Sequence, residues 1–423
     1  MTESRGLRSA SCAQSANTIR LASHSGIHKI NDRDIGPKKA WVGEKITCAQ
    51  PRRRQPISFW PDGVAVRATH KYLLRSAGLA VEIMRQSLTP QDRSPRVYVI
   101  HENDEWVLPL RKNLAAGRIP FAEWHLDQGI LDLRAEPPPG VFYNRMSASS
   151  HTRNHRYAPE LTGAVLAWLK RHGAVVVNGE RALQLELSKV AQYEALGKFG
   201  IETPQTLAVV GKENIADAAR RLGYPVILKH NRAGKGLGVR LFLSAAALEE
   251  HLAGGDFENS VDGITLVQRY IKAPEPFITR VEFVGGKFLY AVRVDTSQGF
   301  ELCPADVCQI DSPALAGVCP AVAPSDKFQI VRDFDHPLVA RWQAFLAAND
   351  IAIAGVEFIV DDNGRPFTYD VNTNTNYNPD AEAKDGRAGS SRSGMGAIAT
   401  HLGSLLMREA NAVPGIVPAA IPA

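Results

Sequence analysis

Gly355-Val-Glu-Phe-Ile-Val-Asp-Asp-Asn-Gly-Arg-Pro-Phe-Thr-Tyr-Asp-Val-Asn372 reads as a β-hairpin. Asn363-Gly364 lies between two apolar runs, and a type I′ turn needs φ > 0 at both central residues, which Asn and Gly accept. With those two residues as the turn, Asp362 pairs with Arg365. Counting outward, Glu357 then stands opposite Asp370. Period two places Asn372 on the same face. Carboxylates facing each other across strands repel, unless a cation sits between their oxygens. Two carboxylates and an amide carbonyl make an all-oxygen site for a hard ion such as magnesium, whose remaining ligands are water and nucleotide phosphates. Glu357, Asp370 and Asn372 are therefore the candidate metal ligands. The competing reading is a solvated acidic face, and a one-residue slip of register would separate the two acids.

Outward from the hairpin, composition sets the limits. The chain has 423 residues, 44% of them hydrophobic, with a formal net charge of +5. That length suggests about two to three domains. The basic bias lies mostly before Asp104 and includes Arg52-Arg53-Arg54. Nothing later shows the clustered basic and aromatic face of a nucleic-acid binder, so no nucleic-acid partner is expected. The five cysteines form no C-x-x-C pair, which argues against a disulfide framework or a cysteine-ligated zinc site. No apolar run reaches transmembrane length, and a cytoplasmic location is the expectation. Residues 5–31 contain no acid and carry Ser and Arg, as transit peptides do; a disordered extension or an overlong start is the commoner cause of such a stretch, and the transit peptide is the alternative.

The pass along the chain gives four regions: a basic, largely disordered extension over 1–95 with one helix near 70–86; an α/β domain over 96–180; a larger two-lobed domain over 181–407; and a flexible tail over 408–423. The second region starts with strand Arg96–Ile100, continues to helix Pro159–His172, and ends with strand Ala174–Asn178. A single helix is expected over Leu183–Phe199, with Gly200 as its C-cap. Strands are expected at Thr206–Val210, Pro225–Lys229, Val239–Leu243 and Thr265–Ile271. Helices are expected at Glu213–Leu222, Ala245–Leu252, Pro337–Asn349 and Gly396–Met407. A second hairpin spans Phe277–Val294 with Gly285-Gly286 as its turn, and 295–335 reads as a long loop region.

Several of these segments carry residues with chemical potential. Lys229 ends an apolar strand and needs an anionic partner or an exit to water. Ala233-Gly-Lys-Gly-Leu-Gly238 follows at once. Gly234, Gly236 and Gly238 allow close backbone approach and can turn N–H groups toward an anion. The loop is neither a Walker A element nor a dinucleotide fingerprint, and a plain flexible loop is the alternative. Lys189 lies in the helix after Ser188, where most lysines are solvated. Gln268-Arg-Tyr-Ile271 ends a strand and runs toward Glu275. Arg280 and Arg293 lie on the two arms of the Gly285-Gly286 hairpin, where a phosphate or carboxylate role is open to them.

Taken in order, these parts resemble the ATP-grasp superfamily, and within it the chain is most similar to RimK-like glutamate ligases. The resemblance runs from about Leu183 to Met407, with residues 96–180 as the domain that precedes it. It implies α+β lobes clamping ATP, with a hinge near 268–272. Lys189 and Lys229 then match the lysines that reach the phosphates. Gly234, Lys235, Gly236 and Gly238 match the mobile phosphate loop. Gln268, Arg269, Tyr270 and Ile271 match the hinge that reads adenine, and Glu275 is a candidate ribose contact. Arg280 matches the arginine near the transferred phosphoryl, with Arg293 as a second candidate catalytic cation. Glu357, Asp370 and Asn372 match the ligands of magnesium ions, two in number, for which manganese can substitute.

The implied chemistry is attack of a carboxylate on the γ-phosphorus, then attack of an amine on the resulting acyl phosphate. The implied partners are a small-molecule or peptide carboxylate and an amine, with homo-oligomerisation left open. The sequence departs from the family pattern at Arg269, at Ile278, and at Asn372-Thr-Asn-Thr-Asn376. The last two put glutamate in doubt as the added residue. Gly299–Asp311 and Tyr377–Ser393 are the expected substrate contacts. The other readings are a nucleotide-binding regulator without turnover and a kinase on the same fold.

Overall fold

Arg96–His101 forms β1, whose apolar run is buried almost throughout, as a strand with parallel neighbours on both sides requires. The computed structural model describes residues 94–297 and 327–412, apart from Lys235 and Leu237. The expected helix near 70–86 and the segment Gly299–Asp311 lie outside the described residues. β1 is joined by β2 (Phe121–His125), β3 (Gly140–Asn144) and β4 (Val175–Val177) in the parallel order β2-β1-β3-β4. Helices α1 (Asp104–Ala116) and α2 (Ala158–Arg171) belong to this unit. The Asn103 side chain starts α1 by accepting from the N–H groups of Glu105 and Trp106.

The helix expected over Leu183–Phe199 is instead two helices, α3 (Glu180–Leu187) and α4 (Lys189–Gly197). Ser188 breaks it. Its backbone is extended, and its side chain accepts from Ala191 N–H as the N-cap of α4. Lys189 is thus the first residue of a helix and buried, rather than a solvated mid-helix lysine.

The smaller lobe that follows is an antiparallel sheet ordered β5-β8-β6-β7: β5 (Thr206–Val209), β6 (Val226–His230), β7 (Arg240–Phe242) and β8 (Thr265–Arg269). It is packed with α5 (Ile215–Leu222) and α6 (Ala245–Ala253) around Val209, Ile215, Leu228, Phe242 and Leu248. The larger lobe is the antiparallel sheet β11-β10-β9-β12-β13: β9 (Phe277–Val284), β10 (Lys287–Asp295), β11 (Phe328–Val331), β12 (Ile353–Val360) and β13 (Pro366–Asn372). Strand β11 falls inside the stretch expected to be loop. One face of this sheet packs on Trp342 and Phe345 of α7 (Leu338–Ala348). Its other face shares a core with the first sheet and with α9 (Gly394–Ala412), which follows α8 (Pro379–Lys384). α9 runs past the expected end at 407 and packs against α1, β1 and β3, so it serves both domains. Among the described residues, no helix is long and apolar enough to cross a membrane.

The hairpin that opened the sequence argument forms with a different turn. Asp361 N–H donates to Arg365 O, and Gly364 N–H to Asp361 O; only Gly364 has positive φ, at 76°. The loop therefore has three residues, and pairing near it runs Phe358↔Thr368, one residue off the expected register. A β-bulge at Tyr369 then restores the pairing Glu357↔Asp370. The two offsets cancel, and the acids stand opposite each other as expected.

Asn178, expected as the end of a strand, is 1% exposed and has φ 58°. Its side chain donates to Ile353 O (2.7 Å) and Thr373 O (2.9 Å) and accepts from the N–H groups of Ala352 and Ile353. It ties the first sheet to both ends of the last hairpin. Asn178→Ala should destabilise the protein by about 3 kcal/mol, because buried backbone groups lose their partners; equilibrium urea unfolding measures this.

Candidate active site

A cleft of about 510 Å³ is lined by residues of both antiparallel sheets, including Lys229, Gln268, Arg280, Glu357, Asp370 and Asn372, and by Trp106, Ser147 and Ser149 of the first unit. β9 builds its floor by alternation. Val281 and Phe283 face the α7 core, while Ile278, Arg280, Glu282 and Val284 face the other way. Arg280 is buried. Its Nε donates to Glu282 Oε1 (2.5 Å), its NH1 to Glu357 Oε1 (3.0 Å), and its NH2 to Thr375 Oγ1. Burial opposes the charge on Arg280, but Glu282 and Glu357 more than offset it, and the guanidinium pKa is raised. Gly355 sits between these groups. A Cβ there would lie 2.6 Å from Arg280 NH2 and 2.8 Å from Glu282 Oε2, so only glycine leaves room for the ion pair.

The candidate metal ligands are brought together. Asn372 Nδ2 donates to Glu357 Oε1 (3.3 Å), and Lys189 Nζ donates to Asp370 Oδ1 (2.7 Å). Burial raises the Glu357 pKa, Asp370 pushes it the same way, and Arg280 opposes both. Lys189 and Arg280 are the cations that balance these acids, each at the distance of a charged hydrogen bond. Oxygen donors on the cleft wall, one buried and two half-buried, with their carboxylates held by cations, fit a hard divalent ion. The bulge at Tyr369 adds a feature that period two does not give: Tyr369 and Asp370, though consecutive, both line the cleft.

Lys229 is buried, and its Nζ donates to Tyr193 Oη (2.6 Å). The ammonium also lies over the rings of Tyr193 and Tyr369, 5.3 and 5.7 Å from their centroids. Burial, with Lys189 nearby, brings the Lys229 pKa down to about 7. Gly234 and Gly236 line the cleft, and Gly238 has φ 73°; Lys235 lies outside the described residues. Arg269, Tyr270, Ile271 and Glu275 line the mouth. The Gln268 side chain is spent inside the lobe, donating to Tyr193 Oη (3.0 Å) and Thr206 Oγ1 (2.8 Å). Arg293 is not brought into the cleft. It pairs with Glu275 on the rim and stacks over Phe277. In place of a pair of hairpin arginines, the interior holds Arg280 alone of the two.

Sequence reasoning missed Glu186, Tyr193, Glu282, Thr375 and Arg145. Glu186 and Tyr193 lie three before and four after Lys189, and Glu282 lies two after Arg280, so helical and strand spacing were the available signals. Glu186 Oε2 accepts from the N–H groups of Thr373 and Asn374. Arg145, 2% exposed, donates to Asn374 Oδ1 (3.2 Å), Thr375 O (3.2 Å) and Asn376 Oδ1 (2.8 Å). It comes from just beyond β3, more than two hundred residues away, and no local pattern marks it.

In fold comparison, the solved ATP-grasp ligase PsnB complexed with minimal precursor matches with a TM-score of 0.51 at 16% identity, covering 74% of this chain and 99% of that one. The chain has the ATP-grasp fold. The family model of the carbamoyl-phosphate synthase L chain ATP-binding domain matches residues 188–281, a stretch that holds Lys189, Lys229 and Arg280. Beta-citrylglutamate synthase B of Danio rerio is 30% identical over 128 residues, 30% of this chain and 31% of that protein. N-acetylaspartylglutamate synthase A of Homo sapiens is 30% identical over 128 residues, 30% of this chain and 32% of that protein. The matched stretch thus spans about a third of these relatives' length. Within the ATP-grasp fold, both antiparallel sheets contribute side chains to the cleft, and the segment after β3 supplies Ser147 and Ser149 to its wall.

A polyphosphate favours the charged form of Lys229, so its binding should draw a proton onto the amine. ATP affinity should therefore fall as pH rises above about 7, by up to tenfold per pH unit. Calorimetry in buffers of different ionisation enthalpy should show proton uptake, and Lys229→Met should remove it.

Proposed function

We propose that this protein is an ATP-dependent carboxylate–amine ligase that works through an acyl phosphate. The observation that carries the reading is the meeting of Lys189 and Lys229 with Arg280, Glu357, Asp370 and Asn372 in one cleft. The site's own charges come close to cancelling: Lys189, Lys229 and Arg280 against Glu186, Glu282, Glu357 and Asp370. A nucleoside triphosphate arriving with two divalent ions is itself about neutral. The pair therefore enters without leaving a large uncompensated charge. Likeness to beta-citrylglutamate synthase B and N-acetylaspartylglutamate synthase A supports amide formation between acids and amino acids as the class of chemistry.

In this reading, Tyr270 and Ile271 hold the adenine by their backbone at the mouth. Lys229 and Lys189 hold phosphate oxygens, and Gly234 to Gly238 closes over them to keep water from the acyl phosphate. Glu357, Asp370 and Asn372 would hold the magnesium, which when bound supplies screening of the phosphate charge. Arg280 stabilises charge on the phosphoryl group in transfer. The carboxylate oxygen attacks the γ-phosphorus and ADP leaves. The amine then attacks the acyl carbon and phosphate leaves. Asn372-Thr-Asn-Thr-Asn376, held by Arg145 and Glu186, forms the wall on the acceptor side. Ile278 is apolar and buried in that same cleft, which supports an acceptor other than glutamate.

Asp370→Asn should lower ADP and phosphate release by about 10²- to 10³-fold, the scale of one lost electrostatic contact. The assay is a panel of carboxylates and amines with product masses read in parallel. ATP-dependent phosphoester products in place of amides, or nucleotide binding without release on any pair, would replace the ligase reading.

A further inference from the structure

His101 and His125, at the carboxyl edge of the parallel sheet, belong to no part of the cleft. His101 ends β1 and is 2% exposed, and neither of its ring nitrogens has a hydrogen-bond partner. A buried imidazole without a partner is costly. Its Nε2 comes within 3.3 Å of Glu123 Oε2, out of hydrogen-bond alignment. Glu123 is already held by Arg111 through two bonds of 2.7 and 2.6 Å. His125 ends β2 directly opposite His101 in the register, and the two rings meet edge to face with centroids 5.2 Å apart. Its Nδ1 lies 3.3 Å from Asp127 Oδ1. Asp104, the first residue of α1, is exposed. One ligand atom from each of His101, Asp104 and His125 lies within 4.8 Å of the others.

We propose that His101, His125 and Asp104 bind a divalent transition-metal ion of the zinc type. Two imidazoles and a carboxylate suit a borderline ion, whereas the all-oxygen set in the cleft suits magnesium, so the two sites take different metals. Three protein ligands leave a coordination position for water. A carboxylate lies 3.3 Å from one ring nitrogen of each imidazole, Glu123 for His101 and Asp127 for His125. A small turn of the ring on metal binding would bring that carboxylate into the orienting position while the other nitrogen meets the metal. The exposed Asp104 closes the site from the helix side. The bound ion pins the start of α1 to the ends of β1 and β2. That end of α1 carries Trp106, which lines the cleft and lies under Arg153, the partner of Glu102.

The test uses full-length, tag-free protein, stripped with chelator and titrated with cobalt(II) and zinc(II). One ion per chain is expected, with the visible ligand-field absorption of nitrogen-bound cobalt. His125→Ala should abolish it, and Glu123→Gln should lower affinity about 10- to 100-fold. Because changes at buried His101 risk misfolding, the exposed Asp104→Asn is the decisive variant. It should weaken the ion while circular dichroism and magnesium-dependent ATP binding stay as in the wild type. Absence of a stoichiometric ion, or an ion that survives both His125→Ala and Asp104→Asn, overturns the proposal.

Discussion

Arg280 bridging Glu282 and Glu357 is the interaction around which the cleft is organised. All three are buried on a sheet covered on both faces, where an uncompensated charge costs several kcal/mol. The guanidinium is planar and presents fixed donors, so the positions of Glu282, Glu357 and Thr375 are set relative to one another. Glu357 then fixes Asn372, and through the pairing of β12 with β13 it fixes Asp370. The oxygen donors are thereby held in place before any ion arrives, which is the condition for electrostatic preorganisation.

The first sheet contributes by attachment. Arg145 and Asn178 reach from its strand ends into Thr373–Asn376 and the start of β12, and α9 packs between the two domains. The segment Asn372-Thr-Asn-Thr-Asn376, which departs from the family pattern, therefore takes hydrogen bonds from Arg145, Asn178 and Arg280. Asn374 and Asn376 accept from Arg145, Asn372 donates to Glu357, Thr373 donates to Glu186, and Thr375 accepts from Arg280. A Pro or Ala at these positions would leave those partners unmet. The departure thus fits its surroundings.

Much of this was legible in sequence because the acids and Lys229 lie on strands whose alternation is a local signal, and the glycines lie in the connection that follows one of them. The hairpin reading reached the right pair of acids through a wrong turn: a three-residue loop and the bulge at Tyr369 offset each other, and neither leaves a mark in residue spacing. The helix over 183–199 failed at Ser188, where hydrogen bonding to the backbone outcompeted helical periodicity. Arg293 was misplaced because a bulge between Phe288 and Tyr290 shifts the register of β10 by one residue; Arg293 then stands opposite Thr279 rather than on the face of Arg280, and it pairs with Glu275 on the rim. Gln268 was read for its place in the chain, while its side chain is satisfied inside the lobe. Arg145 and the histidines of β1 and β2 depend on contacts between distant segments, which no single-sequence pattern carries.

Gly355 shows how such a network limits change. Strand positions buried on both faces ordinarily accept valine, isoleucine or alanine with little penalty. Here the space next to the α-carbon is filled by the Arg280 guanidinium and the Glu282 carboxylate. The least bulky alternative already collides with them. A side chain at this position therefore requires the Arg280–Glu282 pair to shift, so the ion pair and the glycine depend on each other.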